Sequence, residues 1–214
     1  MLKRRDVTDV IPLSNFGLNL IMPKLKNHLM SLSDDDKYKR FYTLANERTI
    51  NNYLSGITLD SRGDAVFVVY DDKGENVVGM CHVAVSGTKE TRSAELALTV
   101  SAKHRKRRIG LDMLERAVLH CRTIGITKVF MNCLKSNTPM QNMARKLHMK
   151  VVTDIDESVG ELELAKGRIP TAMTEALAID TVAMFDLQYR RMVNVASHIL
   201  AAAISPIAGR QIKE

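Results

Sequence analysis

Apolar positions change their rhythm along this chain. Over the first sixty residues they recur at helical spacing: Phe16, Leu20, Leu25 and Leu29 are spaced for one helix face. A second helix is expected from about Asp34 to Leu44, and a third from about Glu47 to Leu54, closed near Gly56. Val10-Ile11-Pro12-Leu13 reads as a short extended piece before them. From Val66 the rhythm becomes that of strands. Val66 to Tyr70 is β-rich, Asp71-Asp72-Lys73-Gly74 is a hairpin turn into Val77 to Val85, and Ala94 to Val100 is a third strand. Leu111, Leu114, Val118, Cys121 and Ile124 then mark a helix from Ile109, with Gly125 to stop it. Lys128 to Leu134 is expected as a strand, Thr138 to Leu147 as a helix, and Met149 to Thr153 and Gly160 to Ala165 as two further strands.

The order β-β-β-α-β-α-β-β after a helical N-terminal piece predicts a mixed α/β (α+β) fold, a sheet with two helices packed on it. Residues 1–165 are expected as one domain, with 1–60 as its helical part. After Pro170, residues Leu177, Val182, Phe185, Met192, Val195, Ile199 and Leu200 return to helical spacing, which predicts a helical extension over 166–214. It is expected to pack on its own domain or to form a homodimer through residues 170–205. Its polar positions, Asp180, Asp186 and Gln188 among them, are not strongly basic, which argues against a membrane surface.

Composition narrows the class. With 45% hydrophobic and 26% charged residues the chain can bury a core, and wholesale disorder is excluded. The most apolar stretch, Val195 to Ile204, is broken by Ser197 and His198 and is shorter than the roughly 20 residues that span a bilayer. The N-terminus shows no secretory apolar region. Cys81, Cys121 and Cys133 are odd in number and form no CxxC pair, so they read as buried reduced thiols of a cytoplasmic protein. The histidines show no ligand spacing, and no metal is expected.

Charge changes the picture more than composition. Of the formal +7, five charges sit in Lys103-His104-Arg105-Lys106-Arg107-Arg108, which leaves +2 for the rest of the chain. This run joins a strand to a helix, where free backbone N–H groups and the helix dipole favour phosphate. Gly110 in the first turn allows a ligand close to the backbone. A localised run fits a small polyanion better than a duplex, although a nucleic-acid-binding protein remains an alternative from another class. The 5% aromatic content, with no aromatic in the loop, counts against a stacking platform.

The segment ELALTVSAKHRKRRIGLDMLERA, residues 95–117, resembles the acyl-CoA-binding motif of GNAT N-acetyltransferases, a strand ending in valine followed by Gln/Arg-x-x-Gly-x-Gly/Ala and a helix. The matching positions are Arg105, Arg108 and Gly110, with arginine at the motif's first glycine. NTPMQNMARKLHMKV, residues 137–151, resembles the family's Asn-x-x-x-x-x-x-Ala-x-x-Leu-Gly-Phe segment, with Asn137 as the asparagine and His148-Met149 in place of Gly-Phe. Thr138 as a cap, Pro139 in the first turn and Gln141 closing a capping box are a local logic for the same helix. VIPLSNFGLN and DDDKYKRFY resemble the start of GNAT domains in bacterial protein-lysine acetyltransferases.

The resemblance implies a mostly antiparallel sheet flanked by helices, acetyl-CoA as co-substrate and a primary amine, a protein lysine, as acceptor. It places the CoA at Val100, Arg105, Lys106, Arg107, Arg108, Ile109, Gly110 and Asn137, with an oxyanion-binding N–H near Val100. It makes Glu95 the general base. Strand alternation puts Glu95, Ala97 and Thr99 on one face, small and polar enough to line a cleft, and Ala94, Leu96, Leu98 and Val100 on the core face. The family's acid, a tyrosine seven residues after the asparagine, is Ala144 here, and no general acid is assigned. The altered positions also fit a catalytically degenerate member that binds CoA as a sensor or scaffold.

Overall fold

The three N-terminal helices each begin on a residue whose side chain caps the first turn. The computed structural model describes residues 9–59, 63–88 and 91–164, so the extension expected at 166–214 and its dimer surface lie outside the described residues. After β1 (Ile11–Pro12), α1 (Asn15–Met30) starts with the Ser14 hydroxyl accepting from the Gly17 N–H at 3.1 Å. Ser33 does the same for α2 (Asp34–Phe41), and Asn46 for α3 (Glu47–Ser55). Helix α2 ends earlier than expected, because Tyr42 turns into the left-handed region at φ 57°. The buried stripe of α1 also differs from the expected one. Leu18, Ile21, Leu25 and Leu29 face inward, while Phe16 and Leu20 are exposed. At 100° per residue, the stripe through Leu18, Ile21 and Leu25 leaves those two on the outer side.

The sheet follows: β2 (Ala65–Tyr70), β3 (Val77–Ser86), β4 (Ser93–Val100), a 3-10 turn at Ala102–His104, α4 (Ile109–Thr123), β5 (Lys128–Leu134), α5 (Thr138–Lys146), β6 (Lys150–Thr153) and β7 (Glu157–Glu163). Strand order is β1-β2-β3-β4-β5-β7-β6, antiparallel throughout except for the β4–β5 pair. Strand β7 starts before the expected Gly160. Ser158 and Gly160 occupy its inner face, so no apolar alternation advertises those positions, and the buried Ser158 hydroxyl is satisfied by Thr153 at 3.0 Å.

Helices α4 and α5 cover one face. Met113, Leu114, Ala117 and Cys121 pack with Phe67, Cys81, Val83, Leu96, Val129 and Met131. On the opposite face of β2–β4, Leu25 and Leu29 of α1 and Ile50 and Leu54 of α3 are buried. Each such fully buried aliphatic side chain contributes about 1.5–3 kcal/mol. All three cysteines are free and buried; burial pushes the Cys81 and Cys121 thiols up to about 12, which keeps them protonated and inert. The fold thus leaves β4 at the centre of the sheet, with a helical layer on each side.

Candidate active site

Parallel pairing between β4 and β5 covers only Ser93, Ala94 and Glu95 opposite Lys128, Val129 and Phe130. Beyond those rows β4 stays with β3 to Val100, and β5 stays with β7 to Leu134. The two halves of the sheet therefore part from Leu96 onward, and the β4 backbone edge facing β5 has no ladder partner there. This opening starts closer to Glu95 than the expected oxyanion position at Val100. The Val100 carbonyl accepts from Arg105 Nε at 3.1 Å, and the Val100 N–H lies on that same unpaired edge.

The basic loop closes the wide end of this cleft. Its 3-10 turn is held by His104 N–H to Ser101 O and Arg105 N–H to Ala102 O. Lys106 and Arg108 then adopt φ 61° and 64°, a left-handed conformation that costs a non-glycine residue about 1–2 kcal/mol. Arg108 is the N-cap of α4 and makes no side-chain cap bond. The N–H groups of Lys106 through Leu111 donate to no described residue, leaving a concave run of donors at the helix N-terminus.

The cations divide into two sets. Arg105 meets Asp36 at 2.7 Å, Arg107 meets Asp72 at 3.2 Å, and Arg108 meets Asp112 at 3.3 Å and Glu115 at 3.5 Å. Lys103 and Lys106 have no carboxylate partner among the described residues. Gly110 is a packing position as much as an approach position. A Cβ there would stand 3.0 Å from Met143 Sδ and 3.2 Å from Leu98 Cδ2, so α4 sits close on α5 and β4.

At the start of α5 the cap is Asn137, one residue before Thr138. Its side chain accepts from the Met140 N–H at 3.3 Å. Gln141 closes no capping box; its amide donates to Lys135 O at 2.8 Å. Met140 and Ala144 are buried against the sheet, with Met143 and Leu147 packed beside them. His148 follows at φ 60°, so this chain places a non-glycine residue in a left-handed turn at the second of the two altered positions as well.

On the α1–α3 side of β4 the alternation is as expected for Glu95 and Ala97. The exposed Glu95 carboxylate accepts from Asn132 Nδ2 of β5 at 3.1 Å, across the mouth of the cleft. Thr99 does not line the cleft. It is buried, and its hydroxyl lies 2.9 Å from Nε2 of the buried His28, whose Nδ1 is 3.2 Å from Ser101 Oγ. Burial pulls the His28 pKa down to about 4, so α1 is fastened to the end of β4 by a neutral ring.

Two tyrosines escaped the sequence reading because only tertiary contact brings them here. Tyr42, at the left-handed end of α2, is pushed up to about 12 by burial and by Glu157, Cys133 and Glu95 around it. Its hydroxyl therefore stays protonated beside Glu95. Tyr53 of α3 accepts from Arg40 at 2.7 Å and contacts His82 Nδ1 at 3.1 Å. The aromatic-polar run DDDKYKRFY was the only local hint of this cluster. Among the described residues no group of three His, Cys, Asp or Glu is placed to hold a metal, and no helix is long and apolar enough to cross a membrane.

The family model described as Acetyltransferase (GNAT) family matches residues 26–149. Among solved structures, the GNAT domain of S. lividans PAT superposes with a TM-score of 0.60 at 18% identity, over 72% of this chain and 89% of that one. A GNAT superfamily phosphinothricin acetyltransferase from Sinorhizobium meliloti, in complex with AcCoA, gives 0.56 at 16% identity over 75% and 90%. Ribosomal-protein-alanine N-acetyltransferase from Brucella melitensis gives 0.54 at 15% over 72% and 99%. At these identities the likeness speaks for the fold.

Proposed function

The chain belongs to the GNAT acetyltransferase family, and on that premise we propose that it transfers the acetyl group of acetyl-CoA to a primary amine, the side chain of a protein lysine. The observation that carries this reading is the parting of β4 from β5 beside Glu95, with a run of free N–H donors at its wide end. The donors of Lys106 to Gly110, with the charges of Lys103 and Lys106, which meet no carboxylate among the described residues, fit a pyrophosphate. Arg105, tied to Val100 O and Asp36, fixes the end of β4, while Asn137 fixes the α5 flank. When bound, acetyl-CoA supplies an activated acyl carbon.

A lysine ammonium with a reference pKa of about 10.4 must lose a proton before it attacks. Glu95 is the base in this reading. Asn132 holds one of its carboxylate oxygens and the other is free to accept. The unpaired β4 N–H groups beyond Glu95 are the donors for the developing oxyanion. Free, buried cysteines fit a cytoplasmic protein, and residues 170–205 are proposed to pack on their own domain or to form a homodimer.

The test is thiol release from acetyl-CoA by the full chain with poly-L-lysine and lysine peptides. The expected result is turnover that falls by about 100-fold or more in Glu95→Gln while the dissociation constant for CoA is kept. CoA binding without thiol release would instead support a non-catalytic CoA sensor, a reading favoured by the carboxylates that engage Arg108 and by Ala144. No CoA binding at all overturns both, and steeply salt-dependent nucleic-acid binding would then explain the loop.

A further inference from the structure

Strand register places a second polar group beside Glu95. On β3, His82 pairs with Ala97, and Ala84 pairs with Glu95, so His82 and Glu95 are diagonal neighbours on the same face, the one turned toward α1–α3. The residues between them, Ala84 and Ala97, are small and only half-buried.

The hydrogen-bond network favours one tautomer of His82. Arg40 Nη2 donates to the Tyr53 hydroxyl, which leaves that hydroxyl's own proton for His82 Nδ1. The ring is clamped edge-on by Tyr53, with centroids 5.9 Å apart, and Arg40 lies over the Tyr53 ring. Burial, then the Arg40 charge, pull the His82 pKa down to about 4, against the opposing pull of Asp64. A neutral ring that accepts at Nδ1 must carry its hydrogen on Nε2. That Nε2 is buried and has no hydrogen-bond partner among the described residues. An unmet buried donor costs about 1–3 kcal/mol, and a three-residue network that orients it is difficult to explain by packing alone.

We propose that His82 is a positioning residue of the acceptor site, its Nε2–H holding the water through which Glu95 draws the proton from the incoming amine. The inference rests on the acetyltransferase reading above. The water takes the amine proton as it yields one of its own to the Glu95 carboxylate; His82 keeps its proton throughout. The amine is then neutral and free to attack. Tyr53 and Arg40 act at one remove, by locking the tautomer. The Asp64 carboxylate accepts from the Val85 N–H at 2.7 Å and makes no hydrogen bond to His82 Nε2.

Two measurements on the full chain decide it. The first is long-range ¹H–¹⁵N NMR of the histidine rings at neutral pH. His82 is expected as the Nε2–H tautomer, with a ring shift that moves in Glu95→Gln. An Nδ1–H tautomer, an imidazolium, or a shift indifferent to Glu95→Gln overturns the proposal whether or not an acceptor amine has been found. The second is thiol release from acetyl-CoA with poly-L-lysine. His82→Leu is expected to lower kcat by about 10- to 100-fold with KM for acetyl-CoA unchanged. His82→Gln, which carries an amide N–H at the same reach, is expected to recover most of the loss. Wild-type turnover in His82→Leu, or equal loss in both variants, overturns it. A wild type that releases no thiol defeats the lysine reading instead and leaves the NMR result to judge His82. The affinity for CoA, measured on each variant, separates a lost donor from a lost fold.

Discussion

Arg105 reaches Asp36 at 2.7 Å with one end of its guanidinium while Nε holds the Val100 carbonyl at 3.1 Å. One side chain thus joins the basic loop, the last residue of β4 and helix α2. Partial burial works to raise the Asp36 carboxyl, but hydrogen bonds from Arg105 and Ser33 outweigh it and hold the group below the ordinary carboxylate value.

The stabilisation from Asp36 therefore has a defined pH window. A carboxyl with a depressed folded pKa contributes above its unfolded value and loses that contribution as pH falls through the folded one. Asp36→Asn is expected to cost up to about 1 kcal/mol at pH 7, since the pair is partly solvated. Urea denaturation of variant and wild type should converge as pH drops below the ordinary carboxylate range. A difference that persists in acid would mean that the carboxylate charge is not what matters.

Lys106→Ala and Arg107→Ala separate the free from the paired cations. Arg107 already meets Asp72, whereas Lys106 faces no carboxylate among the described residues. Lys106→Ala is expected to weaken CoA binding by about 3- to 10-fold, a loss of order 1 kcal/mol, and Arg107→Ala by less. Calorimetric titration at low salt checks this, and the reverse order would place the phosphates on the other side of the loop.

His148 stands at φ 60° directly after α5, where a glycine adopts the same conformation without penalty. His148→Gly is expected to stabilise the chain by about 0.5–1 kcal/mol, which raises Tm by roughly 1–4 °C. Arg108→Gly relieves the same backbone strain but also removes the contacts to Asp112 and Glu115, so its gain should be smaller. Thermal unfolding ranks the two, and destabilisation by His148→Gly would mean that the ring itself is needed.

The order of elements was legible in the sequence because each has a strong local pattern. Helix α4 repeats its apolar residues at helical spacing, and β4 alternates cleanly, so the faces of Glu95 and Leu96 followed from chain geometry alone. The parts that escaped depend on partners distant in sequence. Thr99 looked like a cleft residue until His28 arrived from α1, and the basic loop looked wholly available until Asp36 and Asp72 engaged it. Strand β7 begins three residues before the expected Gly160 because Ser158 and Gly160 satisfy its inner face without apolar side chains. The resemblance that located Arg105, Arg108 and Gly110 came from residue identity at fixed spacing, and periodicity could not have supplied it.

The buried histidines make acid stability a direct probe of the fold around β4. Burial lowers the His28 pKa to about 4 against the opposing pull of the Val77 backbone carbonyl, and it lowers that of His82 to about 4 as well. Between that value and the ordinary histidine value of 6.5, the unfolded chain binds protons that the folded chain refuses. Stability is therefore complete above about pH 6.5 and falls as pH drops toward 4, by about 2–3 kcal/mol per ring. Urea denaturation at pH 7 and pH 4.5 measures this loss. His28→Gln, which keeps an amide beside the Thr99 hydroxyl and does not titrate, is expected to remove roughly half of the loss. An unchanged pH dependence in that variant would show that the ring protonates freely, and hence that α1 is not fastened to the end of β4 through a neutral His28.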